Sequence, residues 1–179
     1  SDAVGGVINV IKEKPAIDGK IEGDYNVQYH SNTEGLVTNL GIKSRSGDFF
    51  YGLRAGIRSH QDYKDGNMDR VPNTRYNENS FKVNLGLNRS FGVFRLFYDY
   101  NRPKLGMCVG DAIKDVTENG RKNKYWYQDL TNHIISTKNT LFLGKYKFDM
   151  NASYQMNNRK LQTDNNTPAF EMVDMDMNT

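Results

Sequence analysis

The stretch FFYGLRAGIRSH, residues 49–60, alternates strictly between two kinds of side chain. The apolar set is Phe49, Tyr51, Leu53, Ala55 and Ile57, and the small or polar set is Gly52, Arg54, Gly56, Arg58 and His60. Because successive side chains of a strand point to opposite faces, this period of two predicts a β-strand with one apolar and one polar face. The apolar face would cover a core in a soluble sandwich, but it would meet lipid in a membrane barrel, with the arginines in a wet interior.

Six further segments show a similar alternation, which is weakest in 135–143. They cover residues 21–30, 36–43, 81–88, 93–100, 135–143 and 146–157. Together with residues 49–60 they predict seven amphipathic strands, and an aromatic content of 12% with only 4 prolines favours an all-β chain. No apolar run reaches the roughly 18 residues that a membrane helix requires, so a helical membrane span is excluded.

The predicted connections sort into two groups. Tight turns are expected at RSGD (45–48), SFG (90–92) and GK (144–145). They alternate with loops near 31–34, at 61–79 and at 102–132, and a polar stretch follows from 159 to 179. Antiparallel strands that cross a bilayer have tight turns on one side and larger loops on the other, whereas a sandwich has no reason to sort its loops. The sorting therefore favours an antiparallel transmembrane β-barrel.

Aromatic residues of the apolar faces form two bands. Near the tight turns lie Phe49, Tyr51, Phe94, Tyr146 and Phe148, and near the opposite rim lie Tyr29, Phe81, Tyr98, Tyr100 and Tyr154. Aliphatic residues occupy the middle. Two aromatic girdles around an aliphatic band are typical of Tyr and Phe at the two interfaces of a membrane. We therefore expect Arg54 and Arg58 to point into a barrel interior.

The first fifteen residues, SDAVGGVINVIKEKP, follow a different pattern. Their apolar run occupies both faces, which is typical of a strand that is buried on both sides. The segment resembles the end of the plug domain of TonB-dependent outer-membrane receptors, through Gly5, Gly6, Val7, Ile8 and Asn9. In that family a strand of this type is followed by Lys and Pro and then by a barrel of about 22 strands. Glu13 departs from the pattern, because Thr or Lys is more usual there.

The resemblance implies two domains and a location in the cell. Residues 1–15 would be the C-terminal end of a plug, and residues 16–179 the N-terminal part of a transmembrane barrel, so the chain would be a fragment. The protein would lie in the outer membrane of a Gram-negative bacterium, in contact with its lipid. Its function would be active uptake of a scarce nutrient, either an iron chelate (siderophore or haem) or cobalamin. The partner that drives uptake would be the TonB complex of the inner membrane, acting on the plug.

Four residues are candidates for ligand binding in the lumen or at the extracellular mouth. Arg54 and Arg58 could attract an anionic ferric complex, or they could pair with carboxylates of the plug, since charges in a lumen need partners. His30 and His60 end two strands near the long-loop rim. There they could ligate haem iron or another metal chelate, or they could be merely exposed or hydrogen-bonded.

The sequence offers little support for other kinds of chemistry. It contains no Gly-x-Ser-x-Gly elbow and no Cys/His metal spacing, so we expect neither an enzyme nor a resident metal or cofactor. The single cysteine, Cys108, cannot form an internal disulfide, and a net charge of +3 is too small to indicate nucleic acid as a partner.

Two alternatives stay open. One is a passive or small adhesion-type barrel, with residues 4–13 as an eighth strand, which an even strand count would favour. The other is a soluble β-sandwich that serves as a binding module, although it leaves the sorted loops unexplained.

Overall fold

The computed structural model describes residues 13–110, 114, 116–163 and 174–178. Eight β-strands lie within these ranges. They are β1 (Ile21–His30), β2 (Gly35–Ser46), β3 (Phe49–His60), β4 (Tyr76–Arg89), β5 (Gly92–Gly106), β6 (Tyr127–Leu143), β7 (Tyr146–Gln162) and β8 (Asp174–Asn178). The predicted plug-strand motif, Gly5 to Asn9, lies outside the described residues.

The strands form a single antiparallel sheet in the order of the chain, from β1 to β8. The prediction of an all-β chain with seven amphipathic strands is therefore confirmed. Several strand boundaries differ from expectation. Cross-strand pairing carries β4, β5 and β6 into the predicted loops, which shrink to residues 61–75 and 107–126. The predicted polar stretch after residue 159 contains the end of β7 and the additional strand β8, which pairs with Met156 to Lys160.

The three tight turns lie where the alternation places them, between β2 and β3, β4 and β5, and β6 and β7. Gly47 and Gly144 have φ values of 57° and 60°, which a residue without Cβ adopts easily. These turns gather at one end of the sheet, which we call the turn end. The loops at 31–34, 61–75 and 107–126 gather at the other, the loop end.

The two faces of the sheet differ in chemistry and in exposure. On the apolar face, large side chains of every strand from β1 to β7 are exposed, among them Tyr25, Leu40, Leu53, Phe81, Leu96, Ile135 and Met150. No described part of the chain covers that face. The few buried apolar side chains include Phe50 and Phe97, and both lie on the opposite face, which we call the polar face. The hydrophobic surface of the sheet is thus exposed in the described part of the chain.

The edges of the sheet are open. Within the described residues β1 pairs only with β2, and β8 covers five residues of β7, so the part of β7 nearest the turn end has one neighbour. No pairing joins β1 to β8 in the described part of the chain. The side chains of β1 and of most of β7, the strands at the open edges, are exposed on both faces of the sheet.

Candidate functional site

The polar face of β1 to β6, together with residues 13–15, lines an open cavity of about 600 Å³. The charged side chains in its walls include Glu13, Asp24, Lys43, Arg58, Lys82 and Asp99. The side chains of Phe50 and Phe97 supply an apolar floor. Asn84 also lines the cavity, and its Oδ1 is buried without a hydrogen-bond partner in the described residues. The cavity therefore combines fixed charges with an unused acceptor.

Arg54 is the centre of the charge network on this face. Its guanidinium donates two hydrogen bonds to Asp24, at 2.6 and 2.7 Å, and a third to Asn39 Oδ1 at 3.0 Å. The register places Gly41 directly between Asp24 and Arg54. Because a glycine has no side chain, Arg54 reaches across β2 and forms a bidentate pair with a strand that is not its neighbour.

The segment before β1 is tied to the same network. Glu13 lies 3.3 Å from Arg54 and 3.1 Å from Lys43, and Lys43 also donates to the carbonyl of Lys14 at 3.3 Å. Glu22 is a second carboxylate partner of Lys43, at 3.4 Å. These contacts fix residues 13 and 14 against the polar face.

Arg58 lies four residues further along β3, nearer the loop end, and pairs with Glu78 at 3.4 Å. Glu78 also accepts a hydrogen bond from the hydroxyl of Tyr76. Both candidate arginines therefore point to the polar face, as predicted, and both have carboxylate partners within the described chain. The sequence did not reveal which carboxylates these would be, because the pairs join residues far apart in the chain.

The two candidate histidines come together at the loop end. The ring centroids of His30 and His60 are 5.2 Å apart, although the residues belong to β1 and β3. Gly35 of β2 pairs with His30 and lies under the second ring, since a Cβ there would be 2.1 Å from Nδ1 of His60. Thr33 Oγ1 is hydrogen-bonded to that same Nδ1 at 2.8 Å.

A buried ion pair holds the long loops together, and sequence reasoning missed it. Asp62 and Arg75 are 3% and 2% exposed and lie 2.7 Å apart. Asp62 also accepts the backbone N–H groups of Thr74 and Arg75, while the guanidinium donates to the carbonyls of Glu118 and Lys122. Every strong polar group of the pair is therefore satisfied, which a buried charge requires. Both residues stood in a predicted loop without any motif to single them out.

Further bonds join the loops at 31–34, 61–75 and 107–126 into one unit, which we call the loop cluster. Arg70 contacts Glu34 at 2.5 Å, and Asn73 donates to the carbonyls of Met107 and Trp126. At the surface of the cluster, the ammonium of Lys124 lowers the pKa of Glu118. The cluster is thus an ordered cap beside the histidine pair rather than a set of separate loops.

In residues 13–110, 114, 116–163 and 174–178, no three His, Cys, Asp or Glu side chains are arranged to hold a metal ion. No helix in those ranges is long and apolar enough to cross a membrane. No family model, no curated protein and no solved structure matches the chain.

Proposed function

We propose that the chain belongs to a TonB-dependent outer-membrane receptor that actively takes up an iron chelate or cobalamin in a Gram-negative bacterium. The observation that carries the proposal is the distribution of apolar surface. Large apolar side chains are exposed along one whole face of the sheet, while the opposite face holds ion pairs. This is the reverse of a water-soluble domain, in which the charged face meets solvent.

Energetics favour lipid as the cover for this face. Burying a large apolar side chain contributes about 1.5–3 kcal/mol, so leaving such residues of seven strands in water would forgo a large part of the folding free energy. Lipid supplies the missing apolar environment without a second sheet. The open edges of β1 and β7 agree with a larger barrel, because unpaired backbone groups in a bilayer cost several kcal/mol each.

The polar face would then line the lumen. The loop cluster would lie at the extracellular mouth with His30 and His60, while Arg54 and Arg58 would lie deeper. Residues 13–15 rest on the polar face through Glu13, which agrees with a chain that leaves a plug inside the lumen and enters the barrel wall. In this proposal residues 1–15 end the plug, and the TonB complex acts on it from the periplasm.

A second candidate is a passive or small self-contained barrel. In the described part of the chain the sheet has eight strands in consecutive order, and an even strand number in that order is typical of the smallest outer-membrane barrels. Such a protein would need no energy source, and its ligand or adhesion partner would meet the loop cluster directly.

Uptake measured in cells separates the two candidates. The full protein is expressed in an outer-membrane-containing host with and without a functional TonB complex, and accumulation of radiolabelled ferric siderophore, haem and cobalamin is followed. We expect accumulation of one of them only when TonB is present, and its loss on addition of a proton uncoupler. Accumulation that persists without TonB would contradict the receptor and support the passive barrel. Absence of the protein from the outer-membrane fraction would contradict both.

A further inference from the structure

The pairing of His30 and His60 is a feature that transport across a membrane does not by itself require. Their rings are 5.2 Å apart and tilted by 53°. Three strands must lie in register for the rings to meet, and the strand between them must carry a residue without a side chain. Gly35 meets that condition and is buried beneath the pair.

The spacing fits two imidazoles on one metal ion. An ion about 2.1 Å from a ring nitrogen lies roughly 3.2 Å from the ring centre. Two such rings can occupy adjacent coordination positions of one ion. When the nitrogen–metal–nitrogen angle lies between the octahedral and the tetrahedral value, the ring centres are roughly 4.6–5.3 Å apart. The observed separation of 5.2 Å falls within that range.

One of the two rings is held in an orientation that suits ligation. Nδ1 of His60 is hydrogen-bonded to Thr33 Oγ1 at 2.8 Å. When Nδ1 donates this bond, the lone pair is on Nε2, and metal-bound histidines are commonly oriented in this way. The ring of Tyr76 packs on the other side, with its centroid 5.9 Å from that of His60. His30 is exposed and leaves the approach to the pair open.

The surrounding charge indicates what form the metal would take. Arg121 donates to the carbonyl of Ser59 at 2.8 Å, so a positive charge stands next to His60. Arg58 is nearby but is compensated by Glu78. The described residues supply two nitrogen ligands here, and a net positive neighbourhood disfavours a bare dication while it attracts an anion. A chelate with negative charge and two free coordination positions satisfies both conditions.

We infer that His30 and His60 form a two-imidazole site for a divalent transition metal carried in an anionic chelate that leaves two adjacent coordination positions open. The site differs from the expectation that the protein has no metal ligands. The evidence for the site is the ring geometry and not energised uptake. Binding to the purified protein therefore tests the site separately from transport in cells.

Titration with Ni²⁺–nitrilotriacetate tests the site, because this chelator fills four octahedral positions and leaves two adjacent ones open. The full protein is used without a histidine tag, and binding is followed by calorimetry. We expect His30→Ala and His60→Ala each to weaken binding about 10-fold or more. With a single imidazole left, the metal is no longer held at two points. Gly35→Ala should weaken it similarly with both ligands retained, because its Cβ would displace the ring of His60.

The third histidine provides a matched control. His133 is hydrogen-bonded to the hydroxyl of Tyr98 at 2.9 Å and pairs with Tyr100 in the register of β5 and β6, away from the pair. His133→Ala should leave the affinity unchanged. Loss of binding in this variant, or unchanged affinity in both His30→Ala and His60→Ala, would overturn the inference.

A spectroscopic measurement on the unmodified protein removes dependence on the folding of variants. The electron paramagnetic resonance spectrum of bound Cu²⁺–nitrilotriacetate reports coupling to imidazole nitrogen. Coupling to imidazole is expected in the unmodified protein and in His133→Ala, and it should weaken in His30→Ala. A wild-type spectrum without imidazole coupling would refute the site, whatever the variants do.

Discussion

At the scale of single residues, glycines of β2 and β4 determine which side chains of the polar face can meet. Gly41 leaves room for Arg54 to reach Asp24, and Gly35 leaves room for the two histidines. In β4, Gly86 pairs with Phe50, whose ring fills the space that a side chain at 86 would take. In each case a glycine of one strand leaves space that a side chain of another strand occupies.

Substituting Gly86 tests this packing. A Cβ at position 86 would lie 1.8 Å from Cζ of Phe50, which is 1% exposed and has little freedom to move. We expect Gly86→Ala to lower the free energy of unfolding by about 1–3 kcal/mol through overpacking. Urea unfolding in detergent measures it. Gly52→Ala is the matched control, since its Cβ would meet no atom closer than 3.6 Å. Equal stability of the two variants would contradict the expectation.

The buried pair of the loop cluster supports a second prediction at this scale. Arg75→Ala leaves Asp62 buried without its cation, which costs about 3–5 kcal/mol and should open the cluster. The measurement is the rate of protease cleavage within residues 107–126. Arg89→Ala removes an arginine from the exposed pair with Asp48, worth about 0–1 kcal/mol, and serves as control. Cleavage at the same rate in both variants would argue against a structural role for Asp62 and Arg75.

At the scale of elements, β3 illustrates why the alternation was sufficient to predict strands. Leu53 and Ile57 are exposed on one face, while Arg54 takes part in the ion-pair network on the other. A strand with such faces has a single orientation, because a shift by one residue would exchange them. The ends of strands carry less information, since pairing beyond the alternating segment extends β4, β5 and β6 with polar residues.

Site-directed spin labels on β3 test which environment each face meets. In a Cys108→Ser background, labels are placed at Leu53 and, as the control on the opposite face, at Gly52. We expect the label at 53 to be relaxed by a lipid-soluble agent and the label at 52 by a water-soluble one, because lipid would cover the apolar face only. Equal accessibility of both labels to both agents would exclude the barrel.

At the scale of the whole molecule, the open edges would limit how the chain could exist in a bilayer. Within the described residues, no second strand pairs with the free edge of β1 or with that of residues 146–155 of β7. An isolated chain should therefore associate with copies of itself through these edges or require further strands. Gel filtration with light scattering in detergent measures this, and we expect oligomers. A monomer whose β-structure resists heating would instead support the small eight-stranded barrel.

The amino-acid sequence alone determined the strands, their faces and the sorting of turns and loops. These features depend on local periodicity, which the chain displays along its length in segments such as 49–60. It also indicated that Arg54, Arg58 and His60 share a face, since residues two apart on one strand must do so.

Only the tertiary structure decided which residues meet. The partnership of Arg54 with Asp24, the contact of His30 with His60 and the buried pair of Asp62 with Arg75 all join distant parts of the chain. Strand β8 also depends on tertiary pairing, since a five-residue polar segment is too short to be recognised from its own pattern. These contacts depend on the register of several paired strands and on the packing of the loops. The pattern of a single segment cannot reveal them, because it contains only one of the strands involved.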